Sequence, residues 1–304
     1  MGFCDVVGHE KPIKIINAYI EKSIFCGAYI FSGPEGIGKK MTAVVIAQKL
    51  NCAEAGIQHP DIHITEKGHS QIKIEDIRDI QRQANFRPYS GRMNIFIIDD
   101  AHKLNLDAAN SLLKVLEEPP KDALIILITH KPQNIIKTVR SRCKEIKFAP
   151  LIRSRLEDIL VKNYSLDRAS AHFLSFYAEG RIGLALKLKE SPLSKEKNKI
   201  FDSFVQSLKP LDHNIMGQNK EQLHASLNIL ASWFRDIYLL KAGIAEPELI
   251  HLDRKDDLLK QSARFSFKQL DDVLAAISES LLYLDKNINS KLLLHNLGAQ
   301  LWKA

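Results

Sequence analysis

Eight residues, Gly33-Pro34-Glu35-Gly36-Ile37-Gly38-Lys39-Lys40, carry most of a phosphate-binding loop. Such loops read G-x-x-x-x-G-K followed by Ser or Thr. Backbone N–H groups cradle the phosphates, the lysine reaches the β/γ-phosphates, and the last hydroxyl coordinates Mg²⁺. Gly33, Gly36, Gly38 and Lys39 are in place, but Lys40 stands where the hydroxyl belongs. An ammonium has three donors and no lone pair, so Lys40 cannot ligate a metal. Its charge repels Mg²⁺ while still attracting phosphate. Two readings stay open: a strand-to-helix connector kept for its shape, or a cradle that holds ATP or ADP weakly without turning it over.

Two further stretches fit the same chemistry. In Ile95-Phe96-Ile97-Ile98-Asp99-Asp100 an apolar strand ends in acid, which in a nucleotide fold places Asp99 beside the Mg²⁺ site. The next acid polarises the attacking water and in most such ATPases is Glu. Asp100 is one methylene shorter, which sets its carboxylate about 1 Å back and can cost on the order of 100-fold in rate. The alternative is a solvated acidic strand end. Thr138-Val139-Arg140-Ser141-Arg142-Cys143 follows a buried strand. It is either a solvated basic turn or the seat of an arginine finger, a guanidinium that neutralises charge developing on a γ-phosphate in a neighbouring subunit.

These residues need a scaffold, and the hydrophobic pattern supplies one. Short apolar strands are expected at 28–32, 61–65, 94–99, 124–129 and 145–148. Helices are expected at 39–50, around Ile74, Ile77 and Ile80, and at 106–117, the last capped by Asn105 and stopped by Pro119-Pro120. Near-continuous apolar strands alternating with helices indicate an α/β core with a parallel sheet covered on both faces. After Pro150 the strand patterns end. Three short helices fill 151–192, a charged linker runs through 191–197, and long amphipathic helices follow at 222–242, near 267–286 and at 289–302. The partition is a core at 1–150, a helical lid at 151–192 and an all-α domain at 193–304.

Composition narrows the classes. The longest apolar runs are strand-sized, far short of a bilayer span, and the first residues lack an apolar signal core or a myristoylation pattern. Four cysteines with no C-x-x-C pair fit a reducing cytoplasm. A net charge of +7 admits a nucleic-acid partner without requiring one.

The ordered set VVGHEKP, AYIFSGPEGIGKK, HPDIHI, FIIDDAHKLN, AANSLLKVLEEPP, LITHKPQN and SRC resembles the bacterial DNA polymerase III clamp-loader family, an AAA+ assembly. Ser232-Trp233-Phe234-Arg235-Asp236 and Asn287 to Leu292 resemble stretches of that family's helical collar, so the likeness covers nearly the whole chain. It implies an AAA+ core, lid and collar in a hetero-pentamer that opens a sliding clamp and closes it on primer-template DNA.

The departures from the family pattern are specific. Active loader ATPases carry Ser or Thr at Lys40, Asp-Glu at Asp99-Asp100, and a lid arginine at Gly183; Arg181 comes two residues early and, on a helix start, is expected to point elsewhere. The strand-end sensor position falls at His130, with Thr129 beside it. Only the finger, Arg142, is intact, a pattern that resembles delta-prime-type subunits. The resemblance then implies a stator with no hydrolysis of its own in a DNA-directed DNA polymerase holoenzyme, acting through Arg142 in trans on a neighbouring ATPase. Gly33, Gly36, Gly38, Lys39 and Asp99 remain as a degenerate nucleotide site. No cofactor is required, and no membrane is involved. Relatives often carry a four-cysteine zinc module after the first helix. The stretch 51–60 has one cysteine, so no metal is expected, and Cys52, His59 and His63 read as ordinary residues. The rival readings are an ATP-hydrolysing motor subunit and a DNA-binding accessory module with a vestigial nucleotide fold.

Overall fold

Five short apolar runs become five parallel strands: β1 (Gly27–Ser32), β2 (Ile62–Thr65), β3 (Asn94–Ile98), β4 (Ala123–Thr129) and β5 (Lys144–Lys147). The computed structural model describes residues 8–22, 24–53, 59–66, 70–191, 197–202, 216, 219–244, 248–286 and 290–301. Val6 and Val7, residues 54–58 of the stretch where a zinc module would fall, most of the linker and Asn287 to Asn289 lie outside these residues.

The strand order is β2-β3-β4-β1-β5. Every residue of β3 and β4 is buried, and β1 is buried beyond Gly27. Alternate side chains feed two cores. Ile30, Phe96, Ile98, Ile125 and Leu127 pack with α3 (Ile74–Ala84) and α4 (Leu106–Glu117). Tyr29, Phe31, Ile95, Ile97 and Ile126 pack with α1 (Glu10–Glu21) and α2 (Lys39–Leu50). Fully burying one such Ile or Phe contributes about 1.5–3 kcal/mol, so the sheet is the rigid part of this unit. Asn105 caps α4 as its sequence position predicts, accepting from Ala108 N–H at 2.8 Å.

α1 is not among the elements that the sequence predicts. Pro12 lies in its first turn, where its missing N–H leaves no intrahelical bond unmade.

The register decides what the sheet can position. Ser32 at the end of β1 pairs with Thr129 at the end of β4, and Ile98 of β3 pairs with Leu127. The carboxyl ends of β1, β3 and β4 therefore deliver the glycine loop, Asp99-Asp100 and His130 to one edge, where open parallel sheets bind ligands.

The chain divides into two compact units, one comprising residues 1–155 and 179–184, the other 156–178 and 185–304. Further helices are α5 (Lys137–Arg140), α6 (Arg153–Tyr164), α7 (Arg168–Ala178), α8 (Ile182–Glu190), α9 (Lys220–Lys241), α10 (Lys255–Arg264), α11 (Phe267–Asp285) and α12 (Ser290–Leu301). Within the second unit Trp233 is fully buried against Phe201 and donates to Gln261 Oε1 at 2.8 Å. Asp236, also buried, accepts from the N–H groups of Ile250 and His251 at 2.7 and 2.8 Å and pairs with Arg235. The Ser-Trp-Phe-Arg-Asp stretch is thus a packing and loop-tying device. None of the described helices is long and apolar enough to cross a membrane.

In the first unit Asp61 plays the same part. Its carboxylate accepts from the N–H groups of Tyr89, Ser90 and Gly91 at 2.6, 2.9 and 2.7 Å, fixing the turn that leads into β3. Burial pushes the Asp61 carboxyl up, but the three donors outweigh it and hold it below its ordinary value. Asp61→Ala should strand those donors and cost about 2–4 kcal/mol, read as a lower urea midpoint. Because the folded carboxyl is the stronger acid, its contribution is present above the unfolded value of about 3.9 and fades as pH falls below it. The difference between wild type and variant should therefore shrink in acid; a constant difference would show that packing, not the charge, carries the effect.

Candidate functional site

Glycine is required in the loop for stated reasons. A Cβ on Gly33 (φ +146°) would lie 2.2 Å from the Phe148 carbonyl oxygen, and Gly38 (φ +101°) forms the left-handed N-cap of α2. Behind the loop His9 is buried, and its Nε2–H donates to the Ile37 carbonyl at 2.6 Å. Burial depresses the imidazole's pKa, so it stays neutral. Sequence reading misses this clamp, although His9 stands in the VVGHEKP stretch.

Lys39 is folded into its own loop. Its Nζ donates to the carbonyls of Gly33 and Pro34, both at 2.6 Å, and the side chain is buried. Burial lowers its pKa to about 8, opposed by the charges of Asp99, Glu35 and Asp100. To reach a phosphate it must leave both carbonyls.

Lys40 answers for the missing hydroxyl. Its ammonium pairs with Glu66, just past β2, and lies 3.7 Å from Asp99 Oδ2. The protein's own cation thus occupies the side of Asp99 where a bound metal would stand. Burial lifts the Asp99 carboxyl above its ordinary value, against the Asp100 N–H and Lys40.

Asp100 differs from expectation in kind. Its backbone is left-handed (φ 51°, ψ 44°), and its Oδ2 accepts from Lys103 Nζ at 2.7 Å. Its Oδ1 faces His130 Nδ1 at 3.6 Å and His102 Nδ1 at 4.0 Å. Burial raises its pKa, but Lys103 and the imidazoles bring it below the ordinary range. The group is committed to neighbours as well as being short, so it is no free base.

The segment at 179–184 closes over the loop. Gly183 N–H donates to the Gly36 carbonyl at 2.7 Å, and a Cβ at 183 would lie 2.8 Å from that oxygen. The lid-arginine position is therefore backbone against backbone. Arg181, expected to point elsewhere, instead lines a cavity of about 600 Å³ with Ser32, Gly33, Pro34, Glu35 and His130. The reason is the turn before it, where Glu179 and Gly180 are both left-handed (φ 49° and 80°).

The two arginines of the 138–143 stretch part company. Arg140 lines that same cavity and donates to Glu145 at 2.9 Å, while Glu145 accepts from Ser32 at 2.7 Å. Arg142 is not among the lining residues. It is exposed, bonded to the Thr138 carbonyl at 3.0 Å and paired with Glu117 of α4 at 2.7 Å. Cys143 between β5 and this turn is inert, its thiol pushed to about 12 by burial. Cys52 is exposed, and His63 stacks on Phe96 with ring centroids 5.0 Å apart.

A five-stranded parallel sheet with a glycine loop after β1 and acids after β3 defines a P-loop core of the AAA+ kind. RuvB from Thermotoga maritima, as a point mutant, shares this fold with a TM-score of 0.50 at 17% identity, over 86% of this chain and 90% of that one. Family models described as "DNA polymerase III, delta subunit" and "DNA polymerase III, delta subunit, C terminal" match residues 8–152 and 198–301. DNA polymerase III subunit delta' of Bacillus subtilis is 28% identical over 94% of both chains. Subunit tau of the same organism is 33% identical over 63% of this chain but only 38% of its own length. The chain belongs to the DNA polymerase III clamp-loader family, and its likeness to a delta' subunit runs over nearly its whole length.

Lys40→Thr tests the internal cation. Removing the ammonium leaves Asp99 and Glu66 without their counter-charge and restores a hydroxyl ligand, so ADP affinity should become Mg²⁺-dependent in calorimetric titration. Turnover should stay negligible in variant and wild type alike, because Asp100 and Gly183 are unchanged. Hydrolysis near the roughly 1 s⁻¹ of ordinary enzymes would show that those two are not defects.

Proposed function

We propose that this chain is a delta-prime-type stator of the DNA polymerase III clamp loader, without useful hydrolysis of its own, that offers Arg142 to the ATPase site of a neighbouring subunit. It would sit with other loader subunits in a hetero-pentamer that loads the sliding clamp on primer-template DNA during replication. The division into core (1–150), lid (151–192) and collar (193–304) is the functional partition we retain.

One observation carries the reading. Lys39, Lys40 and Asp100 of the chain's own site are bonded to groups within it, whereas Arg142, paired with Glu117, is exposed and lies outside that site's cavity. A cis role would need a guanidinium aimed at the chain's own phosphates, and Arg140 and Arg181 hold those places. The motor reading draws on the tau-type relatives, but tau-like hydrolysis needs a metal position that Lys40 fills. Nucleotide can still enter weakly if Lys39 exchanges its carbonyls for phosphate, so ATP or ADP binding without turnover fits the stator.

Arg142→Ala should leave the chain folded and able to join the loader, since an exposed side chain contributes little to stability. Hydrolysis at the adjoining site should fall, fingers of this kind being worth about 10³-fold or more. Arg142→Lys should rescue poorly because an ammonium lacks the planar two-pronged contact. The measurement is clamp- and DNA-stimulated ATP turnover by loader reconstituted with each variant, beside its assembly by size exclusion. Full-rate turnover in a normally assembled Ala variant would refute the trans role; failure to assemble would make Arg142 an interface residue.

A further inference from the structure

We propose that Asp100, His102 and His130 form a binding site for one divalent transition-metal ion of the zinc type at the carboxyl ends of β3 and β4. The sequence predicts no metal, because cysteine spacing is the only local signal it offers; these three residues meet through the sheet.

The three side chains are near enough to converge on one ion. Asp100 Oδ1 is 3.6 Å from His130 Nδ1 and 4.0 Å from His102 Nδ1, and all three ligand atoms lie within 4.8 Å of one another. Ligands at about 2.0–2.1 Å from a tetrahedral zinc are about 3.4 Å apart. Two edges of the triangle thus need to contract by only about 0.2 and 0.6 Å. His130 is partly exposed and can adjust its own edges by side-chain rotation, while the Asp100–His102 edge closes through rotation of the Asp100 carboxylate.

Thr129 Oγ1 lies 3.3 Å from His102 Nδ1 and accepts from Lys131 N–H at 3.0 Å, so His102 Nδ1 exchanges this hydroxyl contact for the metal on binding. Lys103 holds Asp100 Oδ2 and turns Oδ1 toward the rings, the outer contact that metal-ligating carboxylates commonly have. The left-handed backbone of Asp100 places it there, and such conformations gather at functional sites.

Two imidazoles and one carboxylate favour Zn²⁺, Co²⁺ or Ni²⁺ over Mg²⁺, which demands oxygen ligands. The site is therefore separate in chemistry from the Mg²⁺ position beside Asp99. Lys103 and Lys131 add positive charge nearby, which sets the expected affinity in the micromolar range.

The test uses the full chain stripped with chelator and kept reduced. Zn²⁺ is titrated calorimetrically near neutral pH, and Co²⁺ is added separately as a spectroscopic probe. Expected are one Zn²⁺ per chain, no displacement by millimolar Mg²⁺, and a tetrahedral-type Co²⁺ spectrum without a thiolate charge-transfer band. His130→Gln and Asp100→Asn should each weaken binding by at least about tenfold, since even outer contacts to metal ligands are worth 10–100-fold. His59→Gln, at another histidine beside an acid, should bind as wild type does. Unchanged affinity in a folded His130→Gln protein, a thiolate band, or no binding in the micromolar range would overturn the site. Should Asp100→Asn fail to fold, His130→Gln decides alone, its side chain being partly exposed.

Discussion

The ammonium of Lys40, set between Glu66 and Asp99, is the charge on which the rest of the nucleotide site depends. Asp99 lies at the end of a fully buried strand, where an isolated carboxylate is costly to keep ionised. A metal–nucleotide complex normally supplies the compensating charge. Here a side chain supplies it, so the strand end is tolerable with nothing bound.

The same substitution of protein for ligand recurs around the loop. Lys39 spends its donors on the Gly33 and Pro34 carbonyls, His9 holds Ile37, and Gly183 meets Gly36 through backbone alone. In a working ATPase, contacts of this sort form and break with the nucleotide state. In this chain the partners on both sides of each contact are its own residues. Desolvation of Lys39, whose pKa falls to about 8, opposes only part of this, because two carbonyl acceptors remain at hydrogen-bond distance.

Much of this is legible in the sequence, for physical reasons. Buried parallel strands read as apolar runs bounded by turns, and Asn105 marks the start of α4 because few residues cap so well. Lys40 and Gly183 stand out as losses because the chemistry of a hydroxyl and of a guanidinium cannot be imitated by what replaces them. What stays hidden depends on backbone geometry or on distant strands. The left-handed turn of Asp100 cannot be inferred from its length, and two left-handed residues swing Arg181 back toward the loop. Neither His102–His130 proximity, with ring centroids 4.3 Å apart, nor the Lys40–Glu66 pair has any signature in local spacing. α1 escapes notice because a proline in the first turn of a helix looks, in sequence, like one that would break it.

Arg142 is parked rather than free, and the manner of parking has a kinetic meaning. Its partner Glu117 is half exposed and so is the guanidinium, so the pair is of the weak, salt-screened class worth roughly 0–1 kcal/mol. The Thr138 carbonyl fixes the other arm of the fork. The side chain therefore loses little of its rotamer freedom anew when it changes partner, because that entropy is already gone. Under the proposed trans role, exchanging a singly charged carboxylate for a multiply charged phosphate would break one weak ion pair and one carbonyl bond. In that role, a guanidinium held this way would answer to the charge on its target more than to the search for it.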